Sequence, residues 1–243
     1  MRTYAFSMRT AKEVLRDPMT PAFGLGFPLI LLILMSVMQR NLPVAIFEIK
    51  SLAPGMTVFG LSFMTIFSGM LVSKDRSGAF LMRLYTTPMR DIDYILGYTL
   101  PLLPIALLQC AVTYAVALCL GLPVTVNLLA AVPGILPMSV FYITLGLFFG
   151  SFMNEKQVGG VCGALMTNLT AWLSGIWIDM SLLGDVFTRI ADCLPFVHAV
   201  NLERALYAGT YDGVGKDVLI VSAYAVAILI AAVMVFMHKR KRM

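Results

Sequence analysis

The sequence predicts an all-α polytopic membrane protein with six spanning helices, an amphipathic helix before the first and short helices before the last. Three observations carry this. Of its 243 residues 59% are hydrophobic and 13% charged, where soluble domains carry about 25% charged residues, and the mean hydropathy is +0.86. Apolar runs of about 18 or more residues recur, each long enough to cross a hydrocarbon core about 30 Å thick. The runs lack the two-residue alternation of barrel strands, and a backbone in lipid must satisfy its own hydrogen bonds, which leaves helices.

Residues 1–18 read as an interfacial helix. At helical period Tyr4, Met8, Ala11 and Leu15 form an apolar stripe, Arg9, Lys12 and Arg16 take the other face, and Asp17-Pro18 ends the helix. Such a helix lies in the plane of the interface with its basic face toward water and headgroups. It serves either as an orientation anchor or as an elbow bearing on a cytoplasmic partner. The six spans fall at about 23–38, 53–72, 95–120, 128–152, 158–178 and 218–237. The first is short, but too many charges precede it and no small-residue cleavage site follows, so it reads as a retained span.

Basic residues set the orientation. With the N-terminus inside, 13 of the 18 Lys and Arg residues fall in inner segments and 5 in outer ones, as expected for short loops on the cytoplasmic side. Both termini and residues 73–94 are then cytoplasmic. The net charge of +5 reflects this orientation, and the basic tail at 238–242 suits anionic inner-leaflet lipid better than nucleic acid. Cys110, Cys119 and Cys162 fall in spans and Cys193 stands alone outside, so neither a disulfide framework nor a metal-binding spacing is present.

Segment 73–94, SKDRSGAFLMRLYTTPMRDIDY, is a charged island between apolar runs. A helix starting near Arg76 and Gly78 sets Arg76, Arg83 and Thr86 on one side, with Phe80, Leu81, Leu84 and Tyr85 over the rest. Pro88 forces Thr87 out of helical geometry, and Asp91 and Asp93 then sit at the start of the next span, where the helix dipole favours negative charge. A solvated loop is the plainer reading. The amphipathic helix, the Thr-Thr-Pro-Met-Arg exit and the matching N-terminal helix together favour a docking element.

The outer loop at 179–217 carries its own pattern. Leu182, Leu183, Val186, Phe187 and Ile190 make a stripe with Asp185 and Arg189 paired at i,i+4, Pro195 breaks that helix, and a second piece runs from His198 to Tyr207 and ends at Gly209. These helices either cap the outer mouth or dip back into the bilayer.

Absences narrow the function. The chain has no phosphate-cradling G-x-x-x-x-G-K-[ST] loop, no H-E-x-x-H and no nucleophile elbow. Its 13 acidic residues all lie outside the spans and neither His is at a span centre. Ion-coupled carriers place ionisable groups near the midplane, so a secondary carrier or channel working alone is disfavoured. A membrane-embedded enzyme is disfavoured because no carboxylate or histidine cluster lies at the inner surface.

Over nearly its whole length the chain resembles the permease subunit of type 2 ABC exporters. The resemblance rests on the N-terminal helix, six spans, KDRSGAFLMRLYTTPMR after the second span, and Leu194-Pro195-Phe196 followed by Leu202-Glu203-Arg204-Ala205-Leu206 and Gly209. The inner segment is similar to the family's coupling helix, an acidic residue, then Gly, then a Thr-Pro exit, matched by Asp75, Gly78, Thr87 and Pro88. Many members have Glu where this chain has Asp75. The resemblance implies pairing with a second permease, identical or related, and with two cytoplasmic ABC ATPase subunits. ATP and Mg bind there and not on this chain. It implies that Asp75, Arg76, Gly78, Phe80, Arg83, Leu84, Thr87 and Pro88 contact or position the ATPase. It implies that the outer helices, with Asp185, Arg189, Pro195 and Phe196, act near the exit of a multi-pass protein of a bacterial cell membrane.

Gly146-x-x-x-Gly150 and Gly159-x-x-x-Gly163 offer close-packing faces, used within one subunit or between two. Thr57, Ser62, Thr65 and Ser68 in the second span, with Thr167, Asn168, Thr170 and Trp172 in the fifth, are candidates for a substrate pathway. The duller use of the hydroxyls is to bond their own helix carbonyls. Spans without charges suit an amphiphilic or hydrophobic cargo such as a drug, lipid or peptide.

Overall fold

The computed structural model describes residues 2–17, 22–42, 47–78, 80, 86, 91–177 and 180–240. In chain order the helices are α1 (Arg2–Arg16), a π-helical turn (Ala22–Gly26) leading into α2 (Phe27–Gln39), α3 (Ile49–Ser77), α4 (Asp91–Cys119), α5 (Leu128–Gly134), α6 (Leu136–Gly150) and α7 (Glu155–Val158). A π-helical stretch (Gly159–Met166) joins α7 to α8 (Thr167–Leu173), and α9 (Asp185–Asp192), α10 (Pro195–Ala208) and α11 (Val214–Arg240) follow. No strand occurs among the described residues.

Among the described residues five helical runs are long and apolar enough to cross a membrane: Ala22–Gln39, Ile49–Ser77, Ile92–Cys119, Leu128–Gly150 and Val214–Met237. The fifth expected span, 158–178, is not among them. Its helix runs from Glu155 to Leu173, diluted by Gly159, Gly160, Gly163, Thr167, Asn168 and Thr170. It nevertheless reaches between the two ends of α3. Glu155 lies against Ser77 at one end, and Ile176, just beyond the run, packs beside Gly55 at the other.

The bundle is built around α3, whose apolar window is 83% buried, against 17% for α11 and 22% for the first span. Small and hydroxylated residues make this centrality possible. Thr57 Oγ1 donates to the Pro54 carbonyl at 2.6 Å, Ser62 Oγ to Phe59 at 2.7 Å and Ser68 Oγ to Met64 at 2.7 Å. Their polarity is thereby satisfied inside their own helix. Thr65 Oγ1 instead reaches across to the Tyr142 carbonyl of α6 at 3.1 Å. Opposite it, Gly146 and Gly150 lie so close to α3 that an added Cβ would overlap Ser68 Oγ and the backbone carbonyls of Thr65 and Gly69. This first glycine pair is thus an internal packing face. Gly159 has open space around it and Gly163 meets only the Ile66 side chain.

Before the last span, Pro195 opens α10 and Gly209, at φ 75°, closes it in the left-handed conformation that favours glycine. α10 lies antiparallel to α11. His198 meets Asp217 in the first turn of α11 at 2.6 Å, while the Cys193 carbonyl, before α10, accepts from Tyr224 at 2.6 Å, roughly 10 Å further along α11. Phe196 packs on Phe141 and Tyr142 at ring separations of 6.1 and 6.4 Å. The helix therefore enters the bundle start-first and surfaces at its end, where Tyr207 bonds the Pro123 carbonyl at 3.0 Å.

Gly150→Leu is expected to lower stability by about 1–3 kcal/mol through overpacking of the α3–α6 contact. Gly159→Leu should leave it within about 0.5 kcal/mol. Thermal unfolding in detergent distinguishes them.

Candidate functional site

The end of the bundle that carries α1 concentrates the charge. Phe6, Thr10 and Val14, four residues apart, form the buried face of α1, while Tyr4, Met8 and Leu15 are exposed. The apolar stripe read from the sequence thus points away from the protein, where headgroups and acyl chains lie for an interfacial helix. A second stripe seats it. Phe6 meets Tyr98 of α4 edge-on at 4.8 Å and stacks on Phe80 at 6.3 Å. Gly97 makes room for the Phe6 ring, which a Cβ there would strike. Thr3 Oγ1 donates to Asp93 at 3.1 Å, fixing the start of α1 against the start of α4.

Arg9 was expected on the water face and instead turns inward. Its two terminal nitrogens donate to the two oxygens of Asp75 at 2.7 and 2.8 Å. The guanidinium lies 3.8 Å over the Phe80 ring and reaches Glu13 at 2.9 Å. Tyr98 adds a third donor to Asp75 at 2.8 Å. Asp75 is only 3% exposed, so a planar, bidentate partner is the one that can replace its hydration. The Asp75 carboxylate in turn pushes the Arg9 guanidinium further up from its already high range, through the hydrogen bond first and charge second. Lys74 completes the chain, 3.4 Å from Glu13.

The next residue points elsewhere. Arg76 donates to the Ser151 and Met153 carbonyls at 2.9 and 2.5 Å, and Ser73 Oγ to Met153 at 2.9 Å. These carbonyls end α6, where a cation is favoured by the helix dipole. One residue later Asn154 and Gln157 form a reciprocal capping box that starts α7, with bonds of 2.9 and 3.1 Å. Three successive residues thus tie the end of α3 to three places: Lys74 and Asp75 to α1, Asp75 also to α4, and Arg76 to the α6–α7 corner.

Between α1, the π-turn of the first span, α3 and the glycines of the α7 run lies a cavity of about 1190 Å³. Its walls include Phe23, Ile66, Phe67 and Met70, and its rim Lys12, Arg16, Glu13 and Glu155. Lys12 and Arg16 are exposed, as expected.

Several sequence-based assignments change. Asp75 and Arg76 are occupied within the chain, because α3 continues to Ser77 rather than stopping at the membrane edge. Gly78 caps α3, its N–H bonding the Lys74 carbonyl at 2.9 Å, and most of the helix expected after it lies outside the described residues. Phe80 supports Arg9. Arg83, Leu84, Thr87 and Pro88 lie outside the described residues. Thr57, Ser62, Thr65, Ser68 and Thr170 are buried in the bundle and line no pathway on its surface. Asn168 and Trp172 are exposed. Asp185 and Arg189 are both exposed and form no ion pair with each other, since such a surface pair gains little over solvation. Pro195 and Phe196 are buried.

Sequence reading missed Phe6, Glu13, Tyr98 and Glu203. The spacing of Arg9 and Glu13 was a legible signal for the first pair. Glu203, assigned to the outer loop, is carried inside by α10 and fully buried.

Arg9→Ala and Asp75→Ala, singly and together, should give a coupling energy of about 1–3 kcal/mol, reduced from the fully buried case because Arg9 is partly exposed. A double-mutant cycle on thermal unfolding measures it.

The family profile of the ABC-2 type transporter matches residues 1–207. No curated protein matches the chain.

Proposed function

Because the chain belongs to the ABC-2 type transporter family, we propose that it is the permease subunit of an ATP-driven exporter of an amphiphilic or hydrophobic molecule. On this reading the α7–α8 run is the fifth of six membrane crossings, and the end carrying α1, with both termini, faces the cytoplasm. A second permease and two ABC ATPase subunits complete the transporter, and ATP and Mg bind on the ATPases.

The observation that carries the reading is the knot at the end of α3. Lys74, Asp75 and Arg76 join α1, α4 and the α6–α7 corner, and the chain passes from that knot directly into residues 78–90, the segment we assign to the ATPase contact. A force on that segment reaches the spans through short charge-assisted bonds, which resist displacement better than loose side chains. Neither α1 nor the coupling segment then moves alone.

The cavity beside α1 suits the cargo class. Its walls are aromatic and aliphatic, its rim carries both signs of charge, and α1 has an apolar face turned outward. A molecule with a long apolar body and a polar head would enter sideways from the inner leaflet, its body against Phe67 and Met70. The exposed Asn168 and Trp172 suit a face for the second permease.

An ABC ATPase should remain bound through purification, and export into proteoliposomes should require ATP on the α1 side. Asp75→Asn should keep the complex assembled and its basal ATPase within about twofold, yet reduce export at least about tenfold. Export by the chain alone without ATP would establish instead a carrier that works unaided.

A further inference from the structure

The far end of the bundle holds a carboxyl for which the transport reading has no task. Glu203 sits on α10 with no exposed surface. Its Oε1 accepts a hydrogen bond from the Tyr114 hydroxyl of α4 at 2.7 Å. Its Oε2, equally buried, meets no hydrogen-bond partner among the described residues. Tyr114 lies five residues before the end of α4, about 8 Å along the helix, so the carboxyl is set well below the bundle's end.

The charges around it do not neutralise it. The neighbouring Arg204 turns to the Ser51 and Gly175 carbonyls at 3.2 and 2.9 Å. From α4 come only the Tyr114 hydroxyl and the Cys110 thiol, and from α10 itself the Tyr207 ring stacked on Tyr114. The buried stretch of α3 from Leu52 to Ser73 and all of α5 carry no titratable side chain. On α11, Asp217 is engaged by His198 of α10, and Lys216 of α11 with Asp185, Arg189 and Asp192 of α9 lie exposed at the surface. A carboxylate here would keep one bare oxygen in an apolar interior, the costliest way to bury the group.

We propose that Glu203 is a proton-binding site coupled to the seating of α10: its Oε2 carries a proton while α10 is packed in the bundle and releases it to water when α10 lifts out. The proposal rests on the placement of α10 and not on the assignment of substrate or ATPase. Burial pushes the Glu203 carboxyl up to about 8, with the Tyr114 hydrogen bond acting weakly the other way. The lifted, hydrated carboxyl ionises near its ordinary value of about 4.3. Between those two values the lifted form binds fewer protons, so raising the pH favours lifting, and above the upper value the effect levels off. α10 is thus held most firmly in acid and loosened as the medium on that side turns alkaline.

Hydrogen exchange of α10 amides in the full chain, in lipid nanodiscs from about pH 5 to 9 and divided by the intrinsic rate, tests this. The opening constant should climb by up to about tenfold per pH unit and level off above about pH 8. Glu203→Gln, which cannot ionise, should give a clearly flatter profile, and because His198 and Asp217 are unchanged in both proteins the difference between the two slopes reads Glu203 alone. A flat wild-type profile, or equal slopes in both proteins, overturns the proposal. Should Glu203→Gln not yield folded protein, infrared spectroscopy of the wild type decides. A protonated-carboxyl band at about pH 6.5 that shifts in Tyr114→Phe supports the site, and no such band, or one indifferent to Tyr114→Phe, rejects it.

Discussion

Asp75 is a carboxylate that water barely reaches, and the architecture of one end of the protein follows from the need to hold it. A buried carboxylate without partners would cost several kcal/mol. Here it receives two bonds from Arg9 and one from Tyr98. Those donors come from α1 and α4, so satisfying the charge obliges an interfacial helix and a spanning helix to close on α3. Phe80 beneath the guanidinium and Phe6 against Tyr98 shield the cluster and raise the strength of each bond. Breaking the pair would leave a bare charge, which is why α1 is seated by chemistry more than by its modest apolar area.

The helix that makes this hub possible is shaped by the opposite requirement. α3 is surrounded on nearly all sides, and its hydroxyls bond inward so that glycines of α6 can approach its backbone. Close backbone contact makes α3 and α6 a stiff pair, and Arg76 locks their ends together at the Ser151 and Met153 carbonyls. At the far end α10 is held by bonds of a different kind, His198 to Asp217 and Glu203 to Tyr114. One end is thus fixed by ion pairs among Arg9, Asp75, Glu13 and Lys74, and the other by hydrogen bonds at the buried His198 and Glu203.

Much of this was legible in the residues. Lipid imposes length and apolarity on whatever crosses it, so the five strongest spans stand out, and the Pro195 and Gly209 boundaries mark α10 by their backbone chemistry. The fifth span is faint for a physical reason, since Gly159, Gly160, Gly163, Thr167, Asn168 and Thr170 dilute its apolarity. Arg9 was misplaced because a fifteen-residue helix offers two apolar stripes, and the one that packs contains Thr10, which reads as polar. Asp75 and Arg76 looked like charges facing a partner because nothing in the sequence shows α3 running on to Ser77. Glu203 was hidden by its position in a loop, as periodicity says nothing of a helix that turns back into the bundle.

The central claim is that α1, the end of α3 and the start of α4 move as one body when the transporter works. Spin labels at the exposed positions Leu15 and Ile92, in the assembled complex with and without ATP, read this directly. The account predicts that the distance between these two labels within one chain is the same with and without ATP. A change in the Leu15–Ile92 distance on ATP binding would mean that α1 swings free of Asp75, and would contradict it.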